Sequence, residues 1–213
     1  MLGAFAVSAV LLVVAPFHSS SAPVPRPVQT QLKAEGFWRP ACPVGMSQLR
    51  LVTVSHWGFD GRAHTGQLVV NAAAAGPLAR VFRTLYASRF PIRHMTLADM
   101  YGPKRGRPRD GDVTGSFDCR QAVPSPCTGG SGTGTWSMHA FGLAVDVNPV
   151  ENPYIGCGRS RDPTARRYFD RSRHRRGMVT RRAIAAFGAV GWGWGGSWAG
   201  STKDFMHFSS NGH

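Results

Sequence analysis

Apolar residues follow two rhythms along this chain, and each predicts elements. Gln48 to Val54 (QLRLVTV) alternates apolar and polar side chains over most of its length, and Gly66 to Asn71 (GQLVVN) is a second short β-rich run, so both read as strands. From Pro77 to Phe90 the period changes. Leu78, Val81, Phe82, Leu85 and Tyr86 fall at i, i+3, i+4, i+7 and i+8, the stripe of an amphipathic helix, with Arg80, Arg83 and Thr84 facing away and Pro77 at the first helical position. Gly142 to Val147 (GLAVDV) alternates again: Leu143, Val145 and Val147 share one face, so a strand here points the Asp146 carboxylate away from its apolar side. A last helix is expected from Thr180 as cap through Ile184 and Phe187, stopping at the glycines that begin with Gly188 and Gly191. Strands and helices mixed without βαβ alternation indicate an α+β domain.

Three stretches fall outside these rhythms. Leu2 to Phe17 is apolar apart from Ser8 and is followed by His18-Ser19-Ser20-Ser21-Ala22-Pro23. It looks like the apolar segment of an export signal, without the usual opening positive charge, and at about 16 residues it is shorter than the roughly 20 a spanning helix needs. A buried amino-terminal helix is the alternative. Ala22 to Gln29 (APVPRPVQ) carries Pro23, Pro25 and Pro27, which lack the amide donor and push their predecessors into extended geometry. The expected organisation is therefore a leader over 1–22, a linker of polyproline character over 23–40, and one folded domain over 41–213. Tyr101 to Thr135, rich in Gly, Pro and Ser, reads as a long loop of the kind that usually carries function.

Composition narrows the class. The 213 residues suffice for one domain with a real core, and 10% aromatic residues argue against disorder of the whole chain. Lys and Arg number 25 against 11 acids, a net charge of +14 that suits a polyanionic partner: nucleic acid, anionic lipid or an anionic wall polymer. Ten of those arginines lie between Arg159 and Arg182. A nucleic-acid reading lacks any recognisable reading helix, zinc finger or RNA-binding motif, and an export leader argues against it. The four cysteines, Cys42, Cys119, Cys127 and Cys157, are even in number and contain no C-x-x-C pair, which suits two disulfides in an exported protein. Three pairings are open. The short spacing across Pro124 and Pro126 favours Cys119 with Cys127, leaving Cys42 with Cys157.

Of eight histidines, two stand in a chemical context. Ser137-Met138-His139-Ala140-Phe141-Gly142-Leu143-Ala144-Val145-Asp146 places an imidazole seven residues before the strand carboxylate, and His207 lies three residues after Asp204. Two imidazoles and one carboxylate with an open fourth position is the composition of a catalytic zinc site, whereas structural zinc is usually closed by cysteine. Water in such a position has its pKa lowered to about 7 and can attack a carbonyl if a base takes its proton. Asp204 is the candidate base; its alternative role is to orient His207 as a hydrogen-bond acceptor.

The residues around these positions carry a resemblance. Ser137-x-His139-x-x-Gly142-x-Ala144-x-Asp146, Asn152-Pro153-Tyr154, Trp192-Gly193-Trp194-Gly195-Gly196-x-Trp198 and Asp204-x-Met206-His207-Phe208 together resemble the zinc D-alanyl-D-alanine carboxypeptidase and L-alanyl-D-glutamate endopeptidase family, whose members cut peptidoglycan stem peptides. The resemblance covers roughly Cys42 to Phe208. It implies the small antiparallel-sheet α+β fold shared with hedgehog signalling domains, with His139, Asp146 and His207 as zinc ligands and Asp204 as general base. Ser116-Phe117-Asp118-Cys119-Arg120 looks like the family segment that carries a substrate-contacting arginine, so Arg120 is the expected electrophilic residue. Ser137, Tyr154 and Trp194 are the candidate substrate contacts. The scissile bond stays open between D-Ala-D-Ala and L-Ala-D-Glu. Secretion or attachment to the envelope follows from the leader, peptidoglycan peptides are the expected partner, and an anionic wall polymer is a second partner for the basic surface. A zinc-containing wall-binding module that does not cut is the competing function.

Overall fold

A three-stranded antiparallel sheet backed by one long helix organises the computed structural model, which describes residues 15–213. The first 14 residues of the expected leader lie outside the described residues. The elements run Ser19–Pro23 (β1), Arg26–Ala34 (α1), Leu49–Trp57 (β2), Ala63–Asn71 (β3), Ala72–Ala87 (α2), Leu97–Tyr101 (α3), Ala144–Asp146 (β4), Tyr154–Gly156 (β5), Arg159–Ser160 (β6), Arg181–Gly188 (α4), Gly193–Trp194 (β7), Lys203–Asp204 (β8) and His207–Ser209 (β9). Among the described residues no helix is long and apolar enough to cross a membrane.

The order of the first sheet is β1-β2-β3, with Leu49 opposite Asn71 and Trp57 opposite Ala63. The alternation read in the sequence is the alternation of burial. Val52, Val54, Leu68 and Val70 are buried against Leu78, Val81, Phe82 and Leu85 of α2, the predicted stripe. That helix starts earlier than Pro77 indicated. Asn71 caps it, its side chain accepting from Ala73 N at 3.0 Å, and four consecutive alanines of high helix propensity carry the chain to Pro77, which sits inside the helix. The last predicted helix matches α4: Thr180 Oγ1 accepts from Ala183 N at 3.1 Å, and Phe187 stacks on Phe208 of β9 with ring centroids 3.8 Å apart.

Residues 23–40 are not an extended linker. β1 pairs with β2 from Ser19 opposite Val54 to Pro23 opposite Arg50, and α1 follows at once. The prolines allow this by position. Pro23 ends an edge strand, Pro25 precedes the helix, and Pro27 lies within its first two residues, where the amide has no partner to lose. Val24 and Leu32 are buried with Leu49, Val69, Tyr101 and Phe117 in a second core. The disulfides also differ from expectation: Cys42 pairs with Cys119 and Cys127 with Cys157, with Cα atoms 5.7 and 5.2 Å apart. Long-range packing decides this. Cys119 N donates to Phe37 O at 3.1 Å, which brings that strand-like segment beside the turn that holds Cys42.

Two further small antiparallel sheets, β4-β9-β7 and β6-β5-β8, carry the chemistry. The result is a small mixed domain of helices and antiparallel sheets. Because Phe208 is fully buried between Phe187 and the site strand, Phe208→Ala is expected to cost about 3–5 kcal/mol. The denaturant midpoint reads this; a cost below about 1 kcal/mol would mean the stack contributes no more than a surface contact.

Candidate metal centre

Three local devices bring the predicted ligands together. Ser137 caps the 3-10 turn Met138–Phe141, its Oγ accepting from His139 N at 3.3 Å, and Gly142 ends the turn in the left-handed region at φ 66°. A side chain at Gly142 would also meet Asn71 N at 2.6 Å, so glycine is required there twice over. β4 follows, with Val145 turned to the core and Asp146 to the other face, as the alternation indicated. The β4–β9 register then sets Asp146 directly opposite His207. Directly opposed residues in an antiparallel pair project to the same face.

The outcome is a buried cluster. His139 Nε2 and His207 Nδ1 lie 3.2 and 3.1 Å from Asp146 Oδ1 and 3.2 Å from each other. One ligand atom from each residue falls within 4.8 Å of the others, so this trio could hold a metal ion. His139 Nδ1 is 2.6 Å from Ser116 O. A carbonyl only accepts, so that nitrogen carries the proton and the Nε2 lone pair is turned into the site. Burial alone would raise the Asp146 carboxyl, but the two imidazoles outweigh it and hold the group well below the usual carboxylate range. Burial lowers His207 while hydrogen bonding and charge from Asp146 raise it, and the net direction is up. Two converging imidazole nitrogens with one ionised carboxylate oxygen and no thiolate is a donor set that fits a divalent transition metal with a position left open.

A cleft of about 780 Å³ opens onto this cluster, and Asp204, Arg120, Ser137 and Tyr154 line it. Asp204 lies on β8 opposite Tyr154 of β5, and Gly195 lets that strand come close, since a side chain there would meet Asp204 O at 2.5 Å. Asp204 Oδ1 is shut off from solvent and has no hydrogen-bond partner. Burial, followed by the charge of Asp146, pushes its carboxyl up to about 7, against the pull of His207 and Arg120. Arg120 Nε donates to Asp118 Oδ2 at 3.0 Å, which aims the guanidinium along the cleft wall.

Trp194, expected at the cleft, is not among its lining. Its Nε1 donates to Phe205 O at 2.9 Å and its ring stacks against Phe208. Trp198 takes that place, edge-on to Tyr154 with centroids 6.3 Å apart and 6.0 Å from His207. Trp136, exposed at the rim next to Ser137, is the other lining aromatic that sequence reasoning passed over. Trp198 closes the quoted glycine-tryptophan run and Trp136 stands next to Ser137, and those positions are the signals the sequence offered.

One family model agrees with this geometry. Residues 131–210 match the family model described as D-alanyl-D-alanine carboxypeptidase, a span that holds the whole ligand trio and Asp204, with Arg120 ahead of it. The matched span holds these residues and supports the resemblance that the motifs carry. No curated protein and no solved structure matches the chain. Metal analysis of the purified protein is expected to find about one divalent ion per chain, and His139→Ala to weaken its binding by at least about 100-fold. Unchanged stoichiometry and affinity in that variant would place the metal elsewhere.

Proposed function

We propose that this protein is an exported zinc peptidase that hydrolyses peptide bonds in peptidoglycan stem peptides. The observation that carries the reading is the meeting of the His139, Asp146 and His207 donors with the solvent-shielded, unpartnered Asp204 Oδ1 in one cleft, inside the span that matches the family model. Two disulfides suit an oxidising compartment and support export. The domain is read as the hedgehog/DD-peptidase type.

His139, Asp146 and His207 hold the zinc. A zinc ion there supplies Lewis acidity for the scissile carbonyl and lowers the pKa of water into the physiological range. Asp204 takes the proton of the attacking water through its free Oδ1 and returns it to the amine as the C–N bond breaks, so the carboxylate ends as it began. Arg120 faces the oxyanion that develops on the carbonyl or the substrate carboxylate beside it. Ser137 and Tyr154 bind the peptide along the walls, with Trp198 in the role expected of Trp194. Burial that leaves Asp204 near neutrality suits a group that must both accept and donate a proton, and a dication beside it lowers that value further. A wall-binding module that does not cut has no use for such a carboxyl beside a metal, and this favours the enzyme.

Digestion of purified peptidoglycan with mass detection of the released peptides tests the reading and names the bond. Asp204→Asn is expected to keep its zinc and lose about 10²–10⁴-fold in kcat/KM. If the parent protein holds zinc and releases nothing, it is a binding module. The rate of the parent is expected to fall with acidification as Asp204 takes up a proton, with the midpoint at or below about 7. A rate that stays level down to the ordinary aspartate range would remove Asp204 from the role of base.

A further inference from the structure

A second cavity, of about 550 Å³, shares no lining residue with the metal cleft. Arg89, Arg176, Arg182 and His174 line it, and no carboxylate does. Three arginines elsewhere among the described residues meet carboxylates: Arg93 spans Asp112 and Glu151, both at 2.7 Å, Arg107 meets Glu35 at 2.9 Å, and Arg120 meets Asp118 at 3.0 Å. None of Arg89, Arg176 and Arg182 has a carboxylate within ion-pair reach among the described residues. Glu151 stands behind Gly177 at the cavity wall, but it is buried and turned to Arg93 and Tyr168.

Two of these cations occupy unfavourable positions, one for its charge and one for its backbone. Arg182 lies in the first turn of α4, where the positive end of the helix dipole favours acids, and that turn has none. Arg89 follows α2 in the left-handed region at φ 52°, an unfavourable conformation for a residue with a side chain. Aromatic rings brace two of the three guanidiniums. Arg89 lies 4.8 Å from the Trp57 ring centroid and Arg176 lies 5.6 Å from that of Phe59, which limits the side-chain entropy lost when a ligand arrives. Like charges gathered in one cavity whose lining holds no carboxylate are stabilised once an oxyanion occupies the space between them.

We infer that this cavity binds the phosphate groups of a linear anionic polymer. Guanidinium forks match phosphate oxygens two at a time, and a run of phosphates neutralises several arginines together where a single carboxylate neutralises one. Arg173, Arg175 and Arg181 are exposed and close in sequence to the lining residues, and they add positive charge on the same stretch of chain. Such a site holds the protein at an envelope polymer independently of peptide cleavage.

The test titrates the full chain with a short inorganic polyphosphate and compares two double variants that remove equal charge. Arg176→Gln with Arg182→Gln empties the cavity of two guanidiniums, whereas Lys104→Gln with Arg105→Gln removes two exposed cations outside it. The cavity variant is expected to lose at least about tenfold in affinity and the control at most about twofold, with the log–log salt slope falling only in the first. Melting temperature and hydrolysis of a soluble peptide are expected to be unchanged in both, so the outcome stands apart from the peptidase reading. Equal losses in the two variants would reduce the effect to net charge and overturn the site. Inorganic phosphate competing as well as the polymer, phosphate for phosphate, would overturn the polymer assignment in favour of a small anion. A tenfold preference for duplex DNA over polyphosphate would overturn it in favour of nucleic acid.

Discussion

The register between β4 and β9 is the constraint on which the site depends. Asp146 faces His207 because Ala144 faces Ser209 and Val145 faces Phe208, and the pairing cannot slip. A shift of β4 by one residue would turn Val145 out of the core and the Asp146 carboxylate into it. The apolar side of these strands, held by the Phe187 and Phe208 stack, therefore fixes the polar side. His139 joins from the preceding turn, which Gly142 closes against the start of α2: Asn71 N donates to Gly142 O at 2.9 Å and Asn71 Nδ2 to Phe141 O at 3.0 Å. One asparagine thus caps the long helix and anchors the ligand turn.

The general-base candidate belongs to a different sheet. Asp204 is carried by β8 against β5, and this part of the fold is tied down from the loop side. The Cys127–Cys157 bond joins the cleft-wall loop to the end of β5, and Ser125 Oγ pairs with Thr202 Oγ1 at 2.6 Å just before β8. Lys203 Nζ donates to Trp198 O, linking the same strand to the segment that supplies the cleft tryptophan. The candidate metal donors rest on the hydrophobic core, whereas the candidate base and the cleft walls rest on a disulfide and short polar contacts. This division suits a site whose ligand geometry must stay rigid while its walls admit a peptide.

The sequence disclosed the parts that depend on short-range pattern. Alternation located β2 and β4, a short β-rich run located β3, the helical stripe located α2, and Thr180 was the actual cap of α4. The meeting of His139, Asp146 and His207 was legible because its spacing is written into one turn and one strand, with the second histidine marked by its motif. Less legible were features decided by packing between distant segments. The prolines of residues 23–27 read as a linker because their compatible positions, a strand end and a helix start, are visible only once β2 and the second core are in place. Cysteine pairing and the choice between Trp194 and Trp198 likewise depend on which segments meet. The carbonyl of Ser116, which fixes the tautomer of His139, is backbone and leaves no trace in residue identity.

Anomalous diffraction at the zinc edge, on crystals of the protein grown with zinc, tests the central claim most directly. The account predicts one strong peak bonded to His139 Nε2, His207 Nδ1 and an Asp146 oxygen at about 2.0–2.2 Å, within reach of the unpartnered Asp204 carboxyl. A peak on other histidines, or full zinc occupancy with His207 or Asp146 turned away from the ion, would contradict it.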